Sequence, residues 1–389
     1  MAFQREKQNV TASDLLQAIA DAEDIRLTQC TITGVIDVTR LFDPAEKFQT
    51  DKISVTEHQG RKTLTLSQSM VFDKCVFEEN VVFSGPWAEP DTVATEFKSD
   101  VIFNSSVFKG QSRFRKATFY GTAGFDGCTF GGVATFKSAC FHGDAKFRTA
   151  VFSGYCLLGS AEFKSSARFA NTHFVKGGNF AGVKFLGETD FGGVYSSSRS
   201  VPVYDSIVFA RRQYGDDESF WRFVKQSAME AGYYHLAGEC FYNERCAGLW
   251  QKLRGPGYDT LSALKKLGRL LLGVRLLPEL VFGRLLFGYG ERPVRVLVAS
   301  AMIIVFCAVL FTADGALISK DVLSTDSSLA QAFLQGLYFS TITFTTLGYG
   351  DLYPSPNGFY RQLAMAEAVA GGCLMALFVV CLAKRFSRG

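Results

Sequence analysis

The chain of 389 residues lacks the marks of the common enzyme classes. It has no phosphate-binding loop, no dinucleotide fingerprint, no nucleophile constellation and no zinc spacing, so no enzymatic activity is expected. Its ten cysteines form no CxxC pair and have no His nearby at ligand spacing. That argues for buried thiols in a reducing compartment rather than a metal centre or a disulfide framework. His235, Glu239 and Cys240 read as packing, not as a ligand set. A net charge of only +4 gives no reason to expect a nucleic acid partner, and no cofactor is implied. The opening stretch, "MAFQREKQNVTASDLLQ", is too polar for a signal peptide, so the N-terminal part is expected in the cytoplasm. Residues 1–255 also lack long apolar runs, nearly all of which fall in 258–389. Two or three domains of different character are expected.

Two runs in the second part are long enough to cross a membrane. Val296–Ala313 holds 18 residues without a charge, and Leu363–Ala383 holds 21 with one, Glu367. Arg292 and Arg295 precede the first; Lys384, Arg385 and Arg388 follow the second. The loop between them carries Asp314, Asp321, Asp326 and Asp351 against Lys320. This bias predicts both termini in the cytoplasm and the loop outside.

Within that loop, "SSLAQAFLQGLYFSTITF" begins at an N-cap candidate, Ser327 or Ser328, and continues with helical apolar spacing. A helix ending near Phe344 would re-enter the membrane and present the partial negative charge of its C-terminal end, which favours a cation. "TTLGYGD" follows at 345–351. Irregular backbone at membrane depth survives only where protein or a wet cavity surrounds it. Gly348 and Gly350 can take backbone angles that let successive carbonyls point one way. A second GYG, at 288–290, has neither the threonines nor the preceding apolar helix, and reads as a tight turn ahead of Pro293.

Residues 293–385, with "TFTTLGYGDLYP" between two spans, resemble the pore domain of two-helix potassium channels. The resemblance implies a selectivity filter at Thr346, Leu347, Gly348, Tyr349 and Gly350. Stacked oxygen rings there would replace the hydration shell of K+, the permeant ion, with K+ sites at Thr346, Leu347, Gly348 and Tyr349. One segment supplies a quarter of each ring, so a homotetramer is implied. Thr345 and Asp351 would support the filter. Leu347 replaces the commoner Val, and Ile342 stands where several members have a bracing Glu. Glu367 could support the filter from behind instead, or face a polar group or water; an ionisable residue inside a span is rarely idle. Gly371 and Gly372 fall where such inner helices often bend, and both hinge and close packing stay open.

The first part carries a ladder. From Phe97 to Phe191 a large apolar residue recurs in alternating steps of six and five, with Leu158 as the one replacement. An earlier stretch, Leu66, Phe72, Phe77 and Phe83, keeps the rhythm and then slips at "GPWAEPD". Such steps fit neither one helix face nor one flat strand, so corners must intervene. Two residues before each rung stands a small residue, as at Ala117, Ala123, Cys128 and Ala134. A large and a small inward residue per side fills a narrow β-solenoid. The pattern resembles pentapeptide-repeat proteins, which are right-handed quadrilateral β-helices. Four sides would take about 22 residues, giving five or six coils. Some proteins of that family mimic DNA, but residues 97–191 hold twelve Lys/Arg against six Asp/Glu, which disfavours the likeness. The solenoid is expected to take a ligand or protein partner that no motif in the sequence identifies.

The expected organisation is a multidomain membrane protein. It has an N-terminal helical cap at 1–24, a cytoplasmic solenoid at 25–195 with an insertion near 39–60, and a helical cap or linker at 196–257. Residues 205–250 read as two helices, the second starting near Asp216–Ser219, with Trp221, Val224, Ala228 and Ala231 on one face. An interfacial amphipathic helix broken at Pro278 is expected at 258–291, where anionic lipid is a candidate partner. The pore domain then occupies 292–389: spans 294–313 and 361–384, pore helix 328–344 and filter 345–351. Only six residues follow Ala383, so regulation from the chain itself is expected on the N-terminal side. The function expected is a potassium-selective channel of the plasma membrane, of prokaryotic type. The alternatives are a weakly selective cation channel or a membrane-anchored adaptor.

Overall fold

The computed structural model describes residues 2–42, 48, 52–58, 60–85, 93–255, 258–313, 315–319, 329–356 and 358–386. The chain forms two compact units, Met1–Arg269 and Leu270–Gly389.

The first unit is a four-sided β-solenoid. Successive short strands visit four parallel sheets in turn, three of eight strands and one of six. The register confirms a 22-residue coil: Val101 pairs with Ala123, Ala123 with Ala145, Ala145 with Ala167, and Ala167 with Thr189. Steps of five and six arise at two kinds of corner. A left-handed residue recurs every eleven positions, at Ser105, Lys116, Gly127, Ser138, Thr149, Ser160, Asn171, Gly182 and Gly193, and makes the tighter corner. The wider corner carries one more residue and a glycine such as Gly132 or Gly154. A Cβ there would lie within 2.5 Å of the backbone oxygen one coil back.

Every rung from Phe97 to Phe191 is buried. Rings stack coil on coil, as in Phe108–Phe130 at 4.9 Å and Phe130–Phe152 at 4.7 Å, and meet edge-to-face across the interior. Each such side chain contributes about 1.5–3 kcal/mol by burial. In the small column, Thr172 Oγ1 donates to Phe147 O at 2.6 Å and Cys128 Sγ donates to Phe103 O, while the buried Ser112 Oγ has no partner among the described residues. Burial pushes the Cys128 thiol up to about 12 and raises Cys156 as well, so both stay protonated.

The described residues correct some of these expectations and add detail to others. The first residues are solenoid rather than cap, because Ala2–Glu6 and Asn9–Thr11 pair in parallel with the next coil. Only α1 (Ala12–Ala20) of that segment is helical, and it buries Leu15, Leu16 and Ile19. Those extra strands are also why there are more than five or six coils. The insertion near 39–60 includes a strand, Ser54–His58, antiparallel to Arg61–Leu66. At the slip, Met70 pairs with Val101, 31 residues on rather than 22; residues 86–92 of that stretch lie outside the described residues.

The solenoid runs past 195, to a strand at Val208–Phe209 that pairs with Lys184–Phe185. The helix expected before Asp216 is therefore absent: that segment continues the ladder and makes one turn, Arg212–Tyr214. Two helices follow, α2 (Glu218–Glu230) and α3 (Tyr234–Leu253). Phe220 of α2 closes the apolar end against Phe191, Phe209 and Phe180. Trp221, Val224 and Ala228 are buried with it, while Ala231 is half-buried. Cys240 is buried in the same core.

Helix α4 (Ala263–Pro278) is not broken at Pro278. It continues as a π-helix, Glu279–Leu286. Leu264, Leu267, Leu271, Val274, Phe282 and Leu285 are exposed along this segment, as an apolar membrane-facing surface would require.

Candidate pore

Among the described residues, three α-helices follow the π-helix in the second unit. Helix α5 (Pro293–Phe311) starts with a proline in its first turn, where the missing N–H costs nothing. Helix α7 spans Gly358–Phe386. Both are long and apolar enough to cross a membrane, and only 28% and 22% of their apolar stretches are buried inside the chain. The core helix of a soluble protein would be mostly buried. Between them lies α6 (Leu329–Phe344), packed through Phe339 against Phe311 edge-to-face at 4.9 Å. The N-cap candidates Ser327 and Ser328, and the charged loop residues Asp314, Lys320, Asp321 and Asp326, lie outside the described residues.

The chain leaves α6 through a tight exit. Thr345 N donates to Thr341 O at 3.0 Å, and Leu347 N donates to Ile342 O at 2.9 Å. Left-handed residues then alternate with ordinary ones: Thr346 at φ +56°, Gly348 at +52° and Gly350 at +75°. This alternation lets successive carbonyls face one side. Glycine supplies it without steric cost at two positions; the third, Thr346, was not legible, since a β-branched residue is the least expected there. Among the described residues, no backbone N–H reaches the carbonyls of 346–350. Leu347 and Tyr349 are exposed on the single chain.

Asp351 is held within its own chain. Tyr338 Oη donates to Asp351 Oδ2 at 2.8 Å, and Leu352 N donates to Oδ1 at 3.0 Å. Ile342, standing where a bracing acid would have been, is buried against Cys307, Phe311 and Phe339. Beyond the loop, Leu352–Pro354 pairs antiparallel with Leu317–Ser319. This small sheet ties the exit of the loop to the end of α5, and no period in the sequence announced it.

Behind the loop, Glu367 of α7 is buried, and Ser340 of α6 hydrogen-bonds to its Oε1. Gly371 meets the end of α6 so closely that a Cβ would lie 2.0 Å from Phe344 O. The described contact at Gly371 is therefore close packing; Gly372 has open space around it.

The second GYG, unlike the alternating first, is left-handed throughout: Gly288 at +55°, Tyr289 at +54° and Gly290 at +86°. Its tight turn aims the Tyr289 carbonyl at the far end of α7. Lys384 Nζ donates to that oxygen at 2.9 Å and pairs with Glu291 at 2.7 Å. Sequence reading counted Lys384 only among membrane-flanking cations.

Residues 295–388 match the family model described as ion channel, and residues 103–151 match that of pentapeptide repeats, with nine copies. No curated protein and no solved structure matches the chain. The protein thus joins a solenoid of pentapeptide repeats to an ion-channel domain whose two apolar helices fit a membrane-embedded, two-span arrangement.

Proposed function

We propose that the protein is a homotetrameric, potassium-selective channel whose filter is formed by Thr346, Leu347, Gly348, Tyr349 and Gly350. One observation carries this reading. The loop that leaves the C-terminal end of α6 alternates left-handed residues, and among the described residues its carbonyls accept no backbone N–H. Oxygens so oriented suit a dehydrated cation, and four copies would complete each ring. Thr345, Asp351 and Glu367 support the segment in this reading, and Gly371 with Gly372 is the place where α7 could bend. The site acts on K+ as permeant ion, and no enzymatic activity is proposed.

Arg292, Arg295 and Lys384 favour a plasma-membrane protein with both termini in the cytoplasm. The exposed apolar side chains and cations of 263–286 suit the inner leaflet and anionic lipid. In this reading the solenoid gates the pore in response to a ligand or protein partner. Unchanged open probability on removal of residues 1–255 would refute that role.

The test is ion flux in liposomes, first with potassium and then with sodium. Potassium-selective flux, abolished by Gly348→Asp, is expected. Flux that fails to discriminate the ions would favour a weakly selective cation channel, a reading that Leu347 and the apolar Ile342 support. Full activity of Gly348→Asp in binding a solenoid partner, with no flux in either protein, would favour a membrane-anchored adaptor.

A further inference from the structure

We propose that Ser340 is a positioning residue of the pore: with Glu367 it fixes α6, and hence the segment 345–350, against both spans. The proposal rests on the pore reading above and names how its filter is held. Ser340 has no exposed surface, and Glu367 has 2%. The hydroxyl lies 2.9 Å from Ile304 O on α5 and hydrogen-bonds to Glu367 on α7, so one side chain joins all three helices. No cation pairs with Glu367 among the described residues; the Cys307 thiol on α5 is the second polar neighbour of its carboxyl.

A buried polar pair is a costly way to fill space, because apolar residues of similar volume would pack there without desolvation. What it adds is direction. Apolar contacts let a helix slide or turn, whereas a hydrogen bond fixes its height and rotation together. Two glycine contacts flank this point. A Cβ on Gly336 would meet Ala308 O at 2.5 Å, and one on Gly371 would meet Phe344 O at 2.0 Å. They bring the helices close enough for the polar contact to form. Ile342, being apolar and buried, cannot serve this end.

The experiment compares the full-length wild type with Ser340→Ala, Glu367→Ala, Glu367→Gln and the double alanine variant. Two readouts are taken: the K+/Na+ permeability ratio in liposomes, and hydrogen exchange of the 329–344 amides in detergent. Each single alanine variant is expected to lower the ratio about tenfold and to speed exchange about as much. Glu367→Gln, which keeps length and hydrogen bonding, should stay near wild type. The double variant should be no worse than either single one, because the two side chains act through each other. Unchanged ratio and exchange in both single variants, or additive losses in the double variant, would overturn the proposal. Absence of selective flux in the wild type would refute the pore reading instead, and the exchange arm would still decide this one.

Discussion

The two GYG triplets, 288–290 and 348–350, share three letters and much of their backbone, with left-handed glycines in both. They differ in what their carbonyls meet. In the first, the Tyr289 oxygen accepts from Lys384 of the same chain, and Glu291 completes the ammonium's surroundings. In the second, no backbone N–H of the chain reaches the oxygens among the described residues. One triplet is complete within a single chain. The other presents oxygens that the proposed function assigns to a permeant ion and three further copies. A left-handed Gly-Tyr-Gly turn therefore makes carbonyls available, and the neighbourhood decides which cation uses them.

A matched pair of substitutions tests this contrast most strongly. Gly348→Ala should abolish potassium flux, because a Cβ at φ +52° costs about 1–2 kcal/mol in every subunit and turns a carbonyl ring out of line. Gly290→Ala carries similar backbone strain and crowds Lys384 Cδ at 3.1 Å, yet should leave the K+/Na+ ratio unchanged. Its expected effect is a loss of about 1–2 kcal/mol in stability, read by thermal unfolding in detergent. Equal loss of selectivity in both variants would erase the distinction drawn here.

A control touches neither turn. Phe136→Ala empties a fully buried rung that stacks on Phe114 at 5.2 Å, and should cost the solenoid about 3–5 kcal/mol. Denaturant unfolding of the solenoid would read that cost, while ion selectivity should not move. A shifted permeability ratio would mean that the solenoid shapes the filter itself.

The smallest effect is expected from Lys384→Met. It removes the ion pair with Glu291 and the bond to Tyr289 O, both half-shielded from solvent, for about 1 kcal/mol. Since the contact joins the foot of α5 to the end of α7, open probability should change with selectivity intact. Single-channel recording measures both, and an unaltered open probability would reduce the contact to local packing.

Much of this was written in the residues themselves. The alternation of five and six between Phe rungs, with small residues two places before, determined a four-sided solenoid because only corners can bring such steps to one interior. Two long apolar runs flanking "TTLGYGD", with Glu367 their one charge, determined the two-span arrangement, since a hydrocarbon layer tolerates little else. Local spacing carries information of this kind because each coil or span repeats one physical constraint. Tertiary structure decided the rest. Ala2–Thr11 joined the solenoid, Pro278 opened a π-helix instead of a break, Tyr338 rather than residue 342 reached Asp351, and Ser340 found Glu367. The side-chain contacts among them depend on partners distant in sequence, 13 residues away for Tyr338 and Asp351 and 27 for Ser340 and Glu367. No periodicity encodes a hydrogen bond between single residues on different helices. It exists only once packing has brought donor and acceptor within 3 Å.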